Sequence, residues 1–352
     1  MATTEYGVNH PLAVKHWSKD LMKEALKRTH ALRFMGKGKN SLCYIKTELN
    51  KSAGDRIRYG LRMQLDGDGV SGDGTLEGNE EALTTYSDNI FIDQLRHAVR
   101  SEGKMSEQRV PFSVREEARD GLADWWADRI DRAFFNQLSG NTTETDTKRT
   151  GMQSVTAPDT AHHIFPASHT AEASLSATNV FNLNLIDAAV ELAEVGAPIP
   201  IKPLRMGADT YYVLFLHPYQ VYDLRTNTST GQWLDIQKAA MSGGQTTKNP
   251  IFTGALGVYN NTILHSSTRL PVGLTGVADS NVGRAVFCGA QAACVAFGQK
   301  AGKNTYSWRE ELFDYGNQLG VAAGSIWGLK KSTFNGSDFA SVVISTYAAA
   351  HT

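Results

Sequence analysis

The chain has 352 residues, 41% of them hydrophobic and 20% charged, which allows one or two domains with a substantial core and excludes a disordered protein. Its net charge of −1 excludes a uniformly basic or acidic protein. No window is apolar for long enough to span a bilayer, so no membrane partner is expected, and the polar Met1 to Gly7 lacks the apolar run of a secretory signal.

The charge balance conceals a local asymmetry. From Leu12 to Arg62 bases far outnumber acids, among them Lys15, Lys19, Lys23, Lys27, Arg28 and Arg33, whereas the segment that follows, to Asp93, is almost wholly acidic. A basic arm followed by an acidic tip suits head-to-tail pairing of copies or contact with a polyanion; two solvated faces are the plainer alternative.

The first predicted element is an amphipathic helix over Leu12 to Phe34, with Gly36 after it. Tyr44 to Leu65 and Leu83 to Val99 contain strand-like stretches, in which Arg56, Arg58 and Arg62 alternate against Ile57, Tyr59 and Leu61. Between them, Asp66 to Glu81 contains glycines and acids without a base, and can bury almost nothing. It should form the exposed tip of a long hairpin.

A long helix is predicted over Ser113 to Leu138, roughly 37 Å at about 1.5 Å per residue. Ser113 and Glu116 have capping-box spacing, Pro111 sits just outside, and Gly140 can end the last turn. Val114, Ala118, Leu122, Trp126, Ile130, Phe134 and Leu138 recur at every fourth position. Because four residues slightly overshoot one turn, that row drifts by about 40° per step, and the two ends of the helix should pack on different partners.

Asn141 to Ser176 reads as a surface connection carrying exposed histidines, His162, His163 and His169, without a cysteine to complete a metal site. Phe181 to Val195 reads as a helix stopped by Gly196, and Tyr211 to Leu216 as a buried strand broken by His217-Pro218. Short helices are expected over Tyr219 to Arg225 and Gln232 to Met241, a hairpin around Asn260-Asn261, and strands over most of Thr305 to Ala348. Cys43, Cys288 and Cys294 form an odd set without zinc spacing and read as reduced thiols.

Motifs for catalysis fail on their chemistry. Gly67-Asp-Gly-Val-Ser-Gly72 has the letters of a dinucleotide fingerprint, but Asp66, Asp68 and Asp73 would repel a pyrophosphate and no helix opens after it. Gly298 to Lys303 is one residue short of a phosphate loop, with Asn304 where the magnesium-binding hydroxyl belongs. Asp66, Asp68 and Glu77 match three places of a calcium loop, but the fifth ligand and the turn glycine are missing. No catalytic residue, cofactor or metal is expected.

Several stretches carry a resemblance: Ala53-Gly-Asp-Arg-Ile57, Asp93-Gln-Leu-Arg96, Phe215-Leu-His-Pro-Tyr-Gln-Val-Tyr-Asp-Leu-Arg225, Asn249-Pro-Ile-Phe-Thr-Gly-Ala-Leu-Gly-Val-Tyr-Asn260, Gly289-Ala-Gln-Ala-Ala293, Glu311-Leu-Phe-Asp-Tyr-Gly316 and Gly328-Leu-Lys-Lys-Ser-Thr-Phe334. With the order of basic arm, hairpin, long helix and late strands, they resemble the Hong Kong ninety-seven fold of tailed-phage major capsid proteins, and in wording the capsid family of phage N-four. The resemblance implies an α+β fold with residues 1–41 as N-terminal arm, 42–110 as E-loop hairpin and return strand, 111–175 as peripheral domain with spine helix 113–138, 176–300 as axial domain and 301–352 as peripheral return strands. Asp66, Asp68, Asp73, Glu77, Glu80 and Glu81 would then make intersubunit contacts, and Val114, Leu122, Trp126, Ile130, Phe134 and Leu138 would form the spine-helix core. Implied partners are copies of the chain in pentamers and hexamers, packaged double-stranded DNA bound without sequence preference, a separate scaffolding protein, a portal and a decoration protein. An encapsulin-like nanocompartment shell and a soluble oligomeric enzyme are the alternatives.

Overall fold

The computed structural model describes residues 31–46, 54–62, 65, 67–109, 113–167, 169–196, 200–206, 209–227, 229, 257–273, 281–298 and 306–351. Most of the helix expected over Leu12 to Phe34 lies outside them, as do the one expected over Gln232 to Met241, most of the phosphate-loop look-alike, Pro111 and Asp66.

After a 3-10 turn at Ala31–Phe34 come strands β1 (Met35–Gly36), β2 (Cys43–Lys46), β3 (Arg56–Arg62), β4 (Thr85–Phe91) and β5 (Asp93–Arg100), then helices α1 (Lys104–Gln108) and α2 (Val114–Leu138). β6 (His163–Ile164), α3 (Leu183–Val195), β7 (Leu204–Met206), β8 (Asp209–Leu216) and α4 (Pro218–Thr226) follow. The remainder holds β9 (Val258–Tyr259), β10 (Thr262–Ser266), β11 (Val282–Cys288), β12 (Ala293–Gly298), β13 (Tyr306–Phe313), β14 (Gln318–Lys331), β15 (Thr333–Phe334), β16 (Ser337–Asp338) and β17 (Ser341–Tyr347).

Two mixed sheets organise these elements. The first runs β1-β2-β12-β14-β13, with β5 on the other edge of β14; the second runs β6-β17-β11-β8-β10-β9, with β7 also on β8. The β3–β4 hairpin forms its own sheet, apart from both. The sheets exchange strands across the boundary drawn at residue 300. β12, before it, pairs with β14 in the first sheet, while β17, after it, pairs with β11 in the second, from Val282↔Tyr347 to Cys288↔Ser341.

Helix α2 joins the two sheets. Trp126, at its midpoint, packs edge-on against Tyr306 and Trp327 of the first sheet, with ring centroids 5.0 and 6.3 Å apart. Phe134 and Phe135, near its end, pack on Phe215 of the second. The drift of the apolar row thus produces two partners for one helix. Leu122, Trp126, Ile130, Phe134 and Leu138 are buried, but Val114, at the first turn, is only partly buried. The capping box does not form either: Ser113 accepts the Glu116 and Glu117 amides through its backbone carbonyl, and its side chain makes no capping bond. Being exposed, this end can leave its remaining N–H groups to water.

The other end is closed as the sequence suggests. Gly140 adopts φ +62°, its N–H bonds the Gln137 carbonyl, and the Asn141 N–H reaches the Asn136 carbonyl at 3.0 Å. These are the two bonds of a Schellman motif. Elsewhere, Asn182 caps α3 by accepting the Leu185 N–H at 3.2 Å. His217 caps α4 by accepting the Tyr219 N–H, while Gln220 accepts the His217 N–H. Asn260 and Asn261, at φ +43° and +55°, make the two-residue turn between β9 and β10, whose primed geometry suits the strand twist.

All three cysteines are free and buried. Cys43 pairs in register with Ala293, so the adjacent Cys294 projects from the opposite sheet face. Burial pushes the Cys43 and Cys288 thiols up, which keeps them protonated.

Candidate assembly surfaces

The β3–β4 hairpin is an arm fixed at one end. Its pairing runs from Arg56↔Phe91 to Arg62↔Thr85, and alternation places Ile57, Ile90, Tyr59 and Asp88 on one face. Ile57 and Ile90 pack with Cys294 and Ala296 of β12 in a small core separate from the main one, each contributing about 2 kcal/mol of burial. Beside it, Asp88 accepts the Tyr59 hydroxyl at 2.9 Å and pairs with Lys330 of β14. Burial and then the Asp88 charge push the Tyr59 phenol up, so it stays a donor. The close approach of arm and sheet depends on Gly328: a Cβ there would stand 1.9 Å from the Phe91 carbonyl oxygen. On the opposite face, Arg56 lies 4.1 Å from the Phe91 ring centroid and Arg58 donates to Asn89 at 3.1 Å.

Beyond the base, the arm touches little. Every residue from Gly67 to Thr85 is exposed. Of the tip acids, Glu81 accepts the Gly67 N–H and Glu80 the Gly78 N–H, both at 2.8 Å, and these bonds close the loop on itself. Asp68, Asp73 and Glu77 are exposed as well, and Asp66 lies outside the described residues. The structure adds a feature that charge counting missed: Leu76 and Leu83 are each 61% exposed, and Leu65 and Val70 are exposed beside them. Isolated apolar residues in a glycine-rich stretch were the only sequence signal for this. The tip therefore presents both carboxylates and hydrocarbon. Its described residues contain no helix that could hold a dinucleotide, and among described residues no three metal-ligating side chains come together.

The segment after α2 departs from the surface connection expected of it. His162 is buried and His163 and His169 are half-buried, and the reason is pairing with distant elements. His162 Nδ1 lies 2.8 Å from Asp159, which also accepts the Ser337 hydroxyl at 2.6 Å and the Asp338 N–H at 2.9 Å. His163, on β6 beside β17, meets the Ser345 hydroxyl at 2.7 Å. His169 meets the Ser174 hydroxyl at 3.0 Å.

Around them lies a charged junction. Arg284 grips both Glu172 oxygens at 2.6 and 2.9 Å and donates to the Ser139 and Gly140 carbonyls at the end of α2. Lys331 and Asp338, 1% and 2% exposed, pair at 2.7 Å. Burial lowers His163 to about 4, opposed by Glu172 and assisted by Arg284 and Lys331. Burial would raise Glu172 and Asp159, but hydrogen bonds from Arg284 and Ser345 to the first, and from Ser337, Asp338 and His162 to the second, hold both below the usual carboxylate range. The junction is thus charged but internally satisfied, which fits structural support rather than catalysis.

The comparisons agree with this architecture. The phage capsid protein family matches residues 5–350. The chain is 30% identical to the major capsid protein of Pseudomonas phage KPP25, over 95% of this chain and 94% of that one. Among solved structures, the capsid of Ralstonia phage GP4 superposes with a TM-score of 0.78 at 36% identity over the whole of both chains. The Cyanophage Pam1 capsid does so at 0.77 and 19% identity, covering 100% of this chain and 95% of that one. The expected α+β capsid fold is present, no described helix is long and apolar enough to cross a membrane, and the chain belongs to the phage capsid protein family, whose members are structural proteins.

Proposed function

We propose that the chain is the major subunit of an icosahedral phage head, assembled as pentamers and hexamers around double-stranded DNA, and that the β3–β4 arm is its E-loop, clasping a neighbouring copy. The observation that carries the clasp is the contrast along the arm, anchored at Ile57, Ile90 and Asp88 but exposed throughout Gly67 to Thr85. A two-stranded hairpin is marginal alone, and apolar side chains at such a tip gain burial only against another molecule. The carboxylates give direction and register while the leucines add affinity.

In this reading the basic N-terminal segment faces packaged DNA through phosphates without reading sequence. A separate scaffolding protein, a portal and a decoration protein complete the head, which assembles in the host cytoplasm. Helix α2 is the spine that holds the two sheets at a fixed angle within each subunit.

Negative-stain microscopy of the expressed chain, with and without its scaffolding partner, tests the proposal. Closed shells are expected, and a small discrete oligomer under both conditions would refute it. Removing Gly67 to Glu80 should leave a folded subunit that assembles poorly or into heat-fragile particles. A nanocompartment would instead yield shells enclosing a protein cargo and no DNA.

A further inference from the structure

The described residues begin at Ala31, whose N–H donates to Asp131 of α2 at 2.8 Å. Three residues on, the Phe34 ring meets that of Phe215 at 4.9 Å, the same ring that receives Phe134 and Phe135 at the end of α2. The chain therefore enters the fold alongside α2 and in the same direction. Followed backwards from Ala31, it leads toward the first half of that helix.

That half of α2 is acidic on its outer side. Between Glu116 and Asp128 it carries Glu116, Glu117, Asp120, Asp124 and Asp128 against Arg119 alone. Glu116, Glu117 and Asp124 are exposed and Asp120 is half-buried, and Glu116, Asp120 and Asp124 recur at every fourth position. Among them lies Gly121, exposed, with no described atom within 4 Å of where a Cβ would stand. A glycine inside a helix weakens it, and its missing side chain leaves a notch that lets a second backbone approach closely. Asp128 is already held by Arg132 and Arg269, at 2.8 and 2.6 Å, which closes the row at that end.

We propose that this acidic row seats the chain's own basic N-terminal segment in the unassembled subunit. Lys15, Lys19 and Lys23 repeat at the same four-residue interval as the acids. Continued back from Ala31 beside Asp131, the helix predicted over Leu12 to Phe34 rises at the same rate as α2 and brings Lys23 level with Asp124, Lys19 with Asp120 and Lys15 with Glu116. Leu21 falls level with Gly121 and fills its notch. Charge complementarity selects a basic occupant, because a nucleic acid backbone would be repelled by the row. Connection selects this one: Ala31 is fastened beside α2, so the tethered lysines reach the acids at high effective concentration. The seat deepens the reading of the N-terminal segment as the part that faces DNA. Lysines neutralised on α2 are withheld from phosphates until a denser polyanion competes for them.

The test is amide hydrogen exchange over residues 12–30 in the full, unassembled chain. Lys15→Glu, Lys19→Glu and Lys23→Glu together should speed it by about tenfold or more, and so should Glu116→Lys, Asp120→Lys and Asp124→Lys. All six together should restore most of the protection, while the subunit keeps its circular dichroism and melting temperature. Exchange as fast in the parent chain as in either triple variant overturns the proposal. If a variant misfolds, cysteine pairs decide: Lys19→Cys with Asp120→Cys, and Lys23→Cys with Asp124→Cys. A disulfide within one chain supports the seat, readable because the three native thiols are buried. A disulfide formed only between chains gives the row to the segment of a neighbouring copy, and no disulfide in either pair gives it to another molecule; both results overturn the proposal. Short duplex DNA added at low salt should release the protection in the parent chain. Protection that survives saturating DNA leaves the seat standing and sinks the DNA-facing reading instead.

Discussion

Charge is concentrated in two regions of this molecule and used in opposite ways. At the junction behind α2, Asp159, Glu172, Arg284, Lys331 and Asp338 are buried or half-buried, and each has partners within the chain. At the tip of the arm Asp68, Asp73, Glu77, Glu80 and Glu81 stand in solvent without a base in the segment. Charge matched within the chain supports the fold, whereas charge left exposed on an arm is available to a neighbour. Burial raises the stakes at the junction, where an unmatched charge cannot be relieved by water.

The largest effect is expected from Lys331→Met. It strands the Asp338 carboxylate at 2% exposure and should cost the unassembled subunit about 4 kcal/mol in denaturant unfolding. A loss below about 1 kcal/mol would mean the junction is not the fold's support.

Acid probes the same region through His163. Its pKa is held at about 4, against roughly 6.5 in an unfolded chain, so the folded state binds fewer protons. Stability from this group is complete above about pH 6.5 and is lost as pH falls toward 4, by up to ~3 kcal/mol. Below that, protonation of Glu172 and Asp159, both lowered in the fold, adds to the loss. Unfolding midpoints measured across this range should show the slope, and His163→Gln should flatten its upper part.

Ile57→Ala acts at the arm's base and should cost about 2 kcal/mol locally. Amide exchange in β3 and β4 should then quicken by about thirtyfold with little change in global unfolding. At the far end, Asp68→Asn, Asp73→Asn and Glu77→Gln together should shift subunit stability by less than about 0.5 kcal/mol, while slowing assembly and weakening its dependence on salt. A large stability loss from this last variant would erase the distinction between the two regions.

Much of the fold was legible because its signals are local. Gly140 and Asn260-Asn261 act through the backbone conformation of one or two residues, and the row from Leu122 to Leu138 acts through helix period alone. The drift of that row even anticipated its two partners. The histidines show where such reading stops: His163 meets Ser345 across 182 positions of sequence, and a Thr- and Ser-rich context hides a strand only two residues long. Ser113 and Glu116 carry capping-box letters, yet an exposed helix end does not need the box. The close approach at Gly328 could not be read either, because a glycine in a strand does not reveal what will lie over it.

The connection between arm and sheet has a mechanical consequence. One residue, Ile92, separates β4 from β5, and β5 is laddered to β14 from Trp327↔Asp93 to Gly320↔Arg100. In the clasp proposed above, tension arriving from the tip would enter a strand whose bonds share the load, and would pass through β14 to the helix beneath it. A head swelling under the pressure of its contents would stretch its subunits along their most extensively bonded line.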